Sequence, residues 1–263
     1  MRPYWAIVQA RFRMLLQYRA AALAGLATQL FFGLVRVMLF DAFYRSSTAP
    51  QPMSYSETVT YLWLIQALLL LLPWGLDFEV RNMIRSGTVA YELARPTDLY
   101  WLWFSRSLAM RTAPVLLRAT PMFVIAALFL GLQPPASPMA ALAALAAILG
   151  AALLGCAITT LTTISLLWTI AGDGTARLLG TASMIFSGAI IPLPFFPDWA
   201  QTALNLLPFR GLMDTPFRLY IGHLPPQEAI PAIAHQLVWT CALILMGRAI
   251  LGRSLRRLTV QGG

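Results

Sequence analysis

The chain has 263 residues, of which 59% are hydrophobic and 11% charged. A soluble domain typically carries about a quarter charged residues, so a soluble domain is excluded and a membrane protein expected. The 19 basic residues, all Arg, give a net charge of +9, but basic side chains beside apolar spans are what the positive-inside rule demands. The charge therefore gives no reason to expect nucleic acid.

Residues 1–19 form the first element. Arg2, Arg11, Arg13 and Arg19 alternate with Trp5, Val8, Phe12 and Leu15, an apolar face at helical period that reads as an N-terminal amphipathic interfacial helix. The bland alternative is that these residues are the end of the first span.

The fold class expected is an all-α membrane protein over residues 20–263. A hydrocarbon core of ~30 Å takes about 20 helical residues per crossing. Six segments fit: Ala20 to Phe43, Thr58 to Leu76, Leu108 to Leu132, Met139 to Trp168, Ala176 to Ile191 and Ile230 to Leu251. The fifth is the shortest. The first is too long for a signal-peptide core and reads as a retained span.

Arg sorts the loops. The N-terminus, residues 77–107, the Gly172 to Arg177 turn and the tail with Arg253, Arg256 and Arg257 are Arg-rich, whereas the opposite loops hold Arg45, Arg210 and Arg218. This places both termini and the 77–98 insertion in the cytoplasm, with the chain multi-pass in a bacterial inner membrane.

Two Arg fall well inside spans, Arg36 in the first and Arg118 between Pro114 and Pro121 in the third. Intramembrane charge is often functional, yet a long Arg side chain can snorkel or pair structurally. The fourth span carries Ala143, Ala147, Ala151 and Gly155 at a spacing of four, a ridge of small residues that lets another helix approach closely in lipid. Its Thr159, Thr160, Thr162, Thr163 and Ser165 either line a polar path or satisfy backbone carbonyls.

After the fifth span, Pro192, Pro194 and Pro197 stop the helix, Asp198 with Gln201 matches a capping-box variant, and Pro208 divides two short apolar helices. These are expected to form a re-entrant hairpin over residues 192–222, an outer gate built from Pro192, Phe195, Phe196, Pro197, Asp198, Trp199 and Pro208.

Catalytic chemistry has no foothold. There is no Gly/x4/Gly/Lys phosphate loop, no His/Glu/x/x/His pair and no Gly/x/Ser/x/Gly turn. Cys156 and Cys241 lie in apolar segments, and His223 and His235 stand apart from other ligand types, so no disulfide framework, metal site or cofactor is expected in this chain. All carboxylates fall at span edges or in loops, which weakens the alternative of an ion-coupled secondary transporter.

Two stretches, IRSGTVAYELARPTDLYWLWFSRSLA (Ile84 to Ala109) and GAIIPLPFFPDWAQTALNLLPFRGLMDTPFRLYIG (Gly188 to Gly222), together with the layout of spans, resemble the membrane subunit of ABC-2 type ABC transporters. The similarity is to the subfamily formerly listed as a domain of unknown function, and it covers essentially the whole chain. The order Glu-Leu-Ala-Arg-Pro at 92–96 departs from the paired Leu that often precedes Arg-Pro there. The resemblance implies a permease without enzymatic activity, half of an export path for a hydrophobic or amphipathic compound. It implies that residues 77–98 carry a coupling helix docked on a separate ABC ATPase, which binds the ATP and Mg. Arg85, Gly87, Thr88, Glu92, Arg95 and Pro96 are the implied coupling residues. A second permease copy or a related permease completes the pair.

Overall fold

The computed structural model describes residues 2–17, 19–169 and 173–256. Within them the Gly172 part of the glycine turn and Arg257 are not included. Every regular element among the described residues is helical.

Helix α1 (Arg2–Leu16) lies along the first half of a long helix, Leu99–Phe129, where Val8 and Phe12 line a recess with Leu108 and Thr112. Helix α2 (Arg19–Ser46) leaves Phe31, Phe32, Leu34, Val35, Met38 and Leu39 exposed, the pattern of a helix whose surface is meant for lipid or another apolar chain. Helix α3 (Tyr55–Leu68) starts on a capping box: the Ser54 hydroxyl accepts from the Glu57 N–H at 3.3 Å and the Glu57 carboxylate accepts from the Ser54 N–H at 2.6 Å. Every residue from Thr58 to Leu68 is buried. Helix α3 is thus an internal strut, and its all-round apolar sequence is the signature of such a position.

The second expected crossing needs correction. Instead of running to Leu76, the helix tightens into a 3₁₀ turn at Leu69–Leu71 and opens at Leu72, ahead of Pro73. The preference of a residue before proline for extended backbone accounts for the stop. The apolar helical stretch Tyr55–Leu71 is about 26 Å long at 1.5 Å per residue, short of a straight crossing.

Two small helices follow, α4 (Phe78–Arg85) and α5 (Ala90–Leu93). Helix α6 (Leu99–Phe129) begins well before the expected Leu108 and holds Pro114 and Pro121 in its interior. Helix α7 (Pro138–Thr169) is the most buried of the long helices and forms the centre against which α6 and five later segments pack. Helix α8 (Asp173–Phe186) has 14 residues, about 21 Å. The expected fifth span to Ile191 is thereby shortened, because the chain turns at Gly188 (φ 86°) before Pro192.

Helix α9 (Asp198–Leu206), a 3₁₀ turn at Pro208–Leu212 and α10 (Asp214–Ile221) make the compact hairpin before α11 (Ala229–Leu255). Among the described residues four stretches are long and apolar enough to cross a membrane: Ala22–Ser46, Leu99–Phe129, Pro138–Thr169 and Pro226–Leu255. The second and fifth expected crossings are short helices within the same bundle.

Candidate functional site

The 72–98 segment is built by two stop signals and two caps. Pro73 and Gly75 end the α3 strut, Asp77 caps α4, and Asp98 caps α6 through the Trp101 N–H at 3.1 Å. Asp77 uses both carboxylate oxygens. Its Oδ1 accepts from the Glu79 and Val80 N–H groups at 3.0 and 3.3 Å, and its Oδ2 accepts from Arg106 Nε at 2.7 Å.

Arg106, on the second turn of α6, is the hub of this segment. Its side chain is 9% exposed and meets three carboxylates: Asp77, Glu79 at 2.8 Å and Glu92 at 3.8 Å. Glu92 also accepts from Trp103 Nε1 at 2.9 Å. From the other side Arg11 of α1 pairs with Glu79 and approaches Asp77 at 4.0 Å. One guanidinium therefore ties α4 and α5 to a long helix, and a second ties the same acids to α1. Burial pushes the Asp77 carboxyl up. The Arg106 hydrogen bond and charge, with Arg11 behind them, outweigh that and leave it below the usual carboxylate range.

Between the two small helices the chain reverses at Gly87, whose φ of 74° is left-handed and favours glycine. The Gly87 N–H donates to Ile84 O and the Val89 N–H to Met83 O. Thr88 exchanges a hydroxyl hydrogen bond with Ser86 at 2.8 Å. At the far end the Asp98 N–H donates to the Tyr4 hydroxyl at 2.8 Å, and Arg248 of α11 pairs with Asp98 at 3.0 Å. The segment is bolted to α1, α6 and α11.

The six expected coupling residues divide by this arrangement. Arg85, Gly87, Thr88, Arg95 and Pro96 are exposed, whereas Glu92 is 6% exposed and turned inward. Glu92 therefore differs from the outward contact implied by resemblance: it fastens the segment to α6. Two exposed aromatics share the outer surface of the segment, Phe78 (69%) and Tyr91 (75%). Neither these nor Arg106 stood out from sequence, and Arg11 stood out only as part of the polar face of the N-terminal helix. The readable signal for Arg106 was the Thr97-Asp98 helix start, which puts it on the second turn of α6.

Comparison with known families matches residues 30–262 to the ABC-2 family transporter proteins. The chain belongs to that family. No curated protein and no solved structure matches it. The ABC-2 protein is thus a membrane transport component of the ABC class, in keeping with its apolar helices.

At the opposite pole of the ABC-2 bundle sits the hairpin. Pro192 and Pro208 are buried, and Phe195 meets Phe40, Phe43 and Tyr44 edge-on at 5.6, 6.1 and 6.5 Å. Phe196 packs on Leu193, Ala200 and Leu204, while Pro197, Asp198 and Trp199 (84%) are exposed. The expected Asp198/Gln201 capping box is not formed. Pro197 occupies the cap position, and the Gln201 amide donates to the Leu193 and Phe196 carbonyls, both at 2.9 Å. The hairpin is pinned to α3 by the Tyr61 hydroxyl donating to buried Asp214 at 3.2 Å, and to the α6–α7 loop by the Ala136 N–H donating to Tyr220 O at 3.0 Å.

Arg36 donates to Ala189 O at 2.7 Å, linking α2 to the turn before the hairpin. Arg118 lies against Gly25 of α2, where any side chain would collide with the guanidinium. On α7, Ala147, Ala151 and Gly155 are buried and Ala143 half-buried. A Cβ at Gly155 would stand 2.8 Å from Leu71 O and 3.2 Å from Arg111 Nε, so only glycine allows that approach. Most hydroxyls nearby donate to their own helix: Thr160 to Cys156 O, Thr162 to Ile158 O and Thr163 to Thr159 O. Thr159 differs by accepting from Arg111, a buried cation that sequence reading passed over. Among the described residues no cluster of His, Cys, Asp and Glu could hold a metal.

Proposed function

We propose that this ABC-2 protein is one half of the translocation path of an ATP-driven exporter in a bacterial cytoplasmic membrane, with both termini on the cytoplasmic side. In this reading the chain crosses six times, α3 and α8 being short inner crossings, and α9–α10 re-enter from the outer face as a gate. Residues 77–98 form the coupling segment, docked on a separate ABC ATPase that binds the ATP and Mg. A second copy or a related permease completes the path, and the cargo is a hydrophobic or amphipathic compound drawn from the surrounding lipid.

The observation that carries this reading is the Arg106 cluster. A coupling element has to move with the helices it drives, and three carboxylates from α4 and α5 converge on one buried guanidinium of α6. Arg85, Tyr91 and Arg95 are left facing outward from that rigid mount. A docking surface supported by a fixed second layer is better organised than a loop.

The test is co-expression with a candidate ABC ATPase and reconstitution in vesicles. Tyr91→Ala with Arg95→Glu should leave insertion unchanged while releasing the ATPase and abolishing ATP-dependent transport. Transport driven by a proton or sodium gradient without any ATPase would overturn the proposal in favour of a secondary carrier.

A further inference from the structure

Outside the coupling cluster, one cation is buried with no acid beside it. Arg111 of α6 is 6% exposed. Its Nε donates to Leu71 O at 3.2 Å, one terminal nitrogen donates to Ser107 O at 3.3 Å and Ser107 Oγ at 2.5 Å, and the other donates to Thr159 Oγ1. The Cys156 thiol lies against it as well. All these partners are neutral, and among the described residues no carboxylate stands within ion-pair distance of Arg111. These neutral acceptors fix its orientation but leave its charge uncompensated, which is the costly part of burying a cation.

Arg111 also lines a cavity of about 300 Å³ between the end of α3, the start of α4, and helices α6 and α7. Leu70, Leu72, Leu76 and Met110 make much of its wall, Ser107 and Thr159 bond the guanidinium, and Thr163 lines the recess one turn further along α7. Trp74 and Phe78 belong to the same wall and are 46% and 69% exposed, so an apolar edge leads outward from the charged base. Asp77 lines the cavity too, yet its charge is already taken by Arg106 at 2.7 Å and Arg11 at 4.0 Å. A recess with a fixed cation at its base and apolar walls complements an anionic head on an apolar chain.

We propose that this cavity binds the anionic group, carboxylate or phosphate, of an amphiphile, with its head at Arg111 and its chain leaving past Trp74 and Phe78. As a statement about binding this stands by itself; as a statement about cargo it rests on the export reading above. The same head chemistry is carried by a single-chain solute and by an anionic membrane lipid.

The experiment uses the full chain in dodecyl maltoside, titrated with dodecyl phosphate and, in parallel, dodecyltrimethylammonium, with native mass spectrometry and thermal unfolding as readouts. Saturable binding of dodecyl phosphate alone is expected. Arg111→Gln should weaken it by about tenfold or more, a factor corresponding to one lost charge-assisted contact, and Arg111→Lys should restore most of it. Thr163→Leu, which fills the recess without touching the cation, should weaken it as well and decides the matter if Arg111→Gln does not fold. Equal response to both detergents, or wild-type affinity in Thr163→Leu, overturns the proposal. In phosphatidylcholine nanodiscs, displacement of dodecyl phosphate by added phosphatidylglycerol assigns the site to membrane lipid, and lack of displacement assigns it to a single-chain solute. Binding that leaves the ATPase of a co-purified complex unstimulated would keep the site and remove the cargo role.

Discussion

Arg106→Met tests the mount of the 77–98 segment most directly. The substitution keeps a long side chain on α6 and removes the cation shared by Asp77, Glu79 and Glu92. Glu79, 59% exposed and still paired with Arg11, loses little. Asp77 and Glu92, at 9% and 7% side-chain exposure, are left as buried carboxylates short of a counter-charge. Breaking a buried pair on one side costs about 3–5 kcal/mol. Arg11 remains 4.0 Å from Asp77, which argues for the lower end, about 3 kcal/mol. At 1.4 kcal/mol per factor of ten, the open population of 77–98 should rise roughly a hundredfold. Hydrogen exchange on the nanodisc-embedded chain reads this directly: amides of α4 and α5 should lose about two decades of protection while those of α7 and α11 keep theirs. A double-mutant cycle with Asp77→Asn should show strong coupling. Unchanged exchange in residues 78–93 would refute the view that Arg106 holds the segment.

Three further outcomes are expected. Because the Asp77 carboxyl sits below the ordinary value of about 3.9, its contribution to docking is fully present above that pH and is lost as the pH falls through the lower folded value; exchange of α4 amides should accelerate below about pH 4 in wild type and show no such dependence in Asp77→Asn. Gly155→Ala places a methyl 2.8 Å from Leu71 O and should lower stability by about 1–3 kcal/mol, the usual cost of overpacking, seen as a lower thermal midpoint; an unchanged midpoint would mean that α3 and α7 separate freely there. Tyr61→Phe removes the donor to buried Asp214 and should increase proteolytic cleavage in the 192–222 hairpin without altering residues 77–98, whereas equal cleavage rates would show that the hairpin is not held by α3.

The long helices were legible because hydropathy needs only composition over about 20 residues. Hydropathy also misled at both short ones. Leu72 to Leu76 is apolar enough to extend the second span, but Pro73 had the information that ends it. The start of α6 was misplaced for the converse reason: Leu99 to Ser107 contains an Arg and two Ser, which lower its apolar score, although Thr97-Asp98 is a plain helix-start signal. That misplacement left Arg106 in a loop and Arg111 at the edge of a span, about one and a half turns apart on the same helix. The inward turn of Glu92 had no sequence signal at all, since a single helical turn such as α5 can face either way until tertiary partners fix it. At 198–201 the capping-box spacing was present, but Pro197 starts the helix and nearby carbonyls claimed the Gln201 amide.

The two poles of the bundle share one element that both touch. The 3₁₀ turn that ends α3 accepts at its Leu71 carbonyl from Arg111 beside the 77–98 segment, and two to three turns earlier the α3 Tyr61 hydroxyl donates to Asp214 in the hairpin. With residues 58–68 wholly buried, this strut has no lipid or solvent face into which it could yield separately, and close-packed interiors transmit displacement instead of absorbing it. On the proposed reading, ATPase closure acts at 77–98 and shifts the equilibrium only as far as its affinity differs between the two states. An α3 that is short, internal and bonded at both ends is suited to carry that bias to the gate in a way that a lipid-facing helix such as α2 is not. The brevity that removes α3 from a list of ordinary membrane spans is then part of what makes it a connecting rod, since its ends stop where the two polar anchors begin.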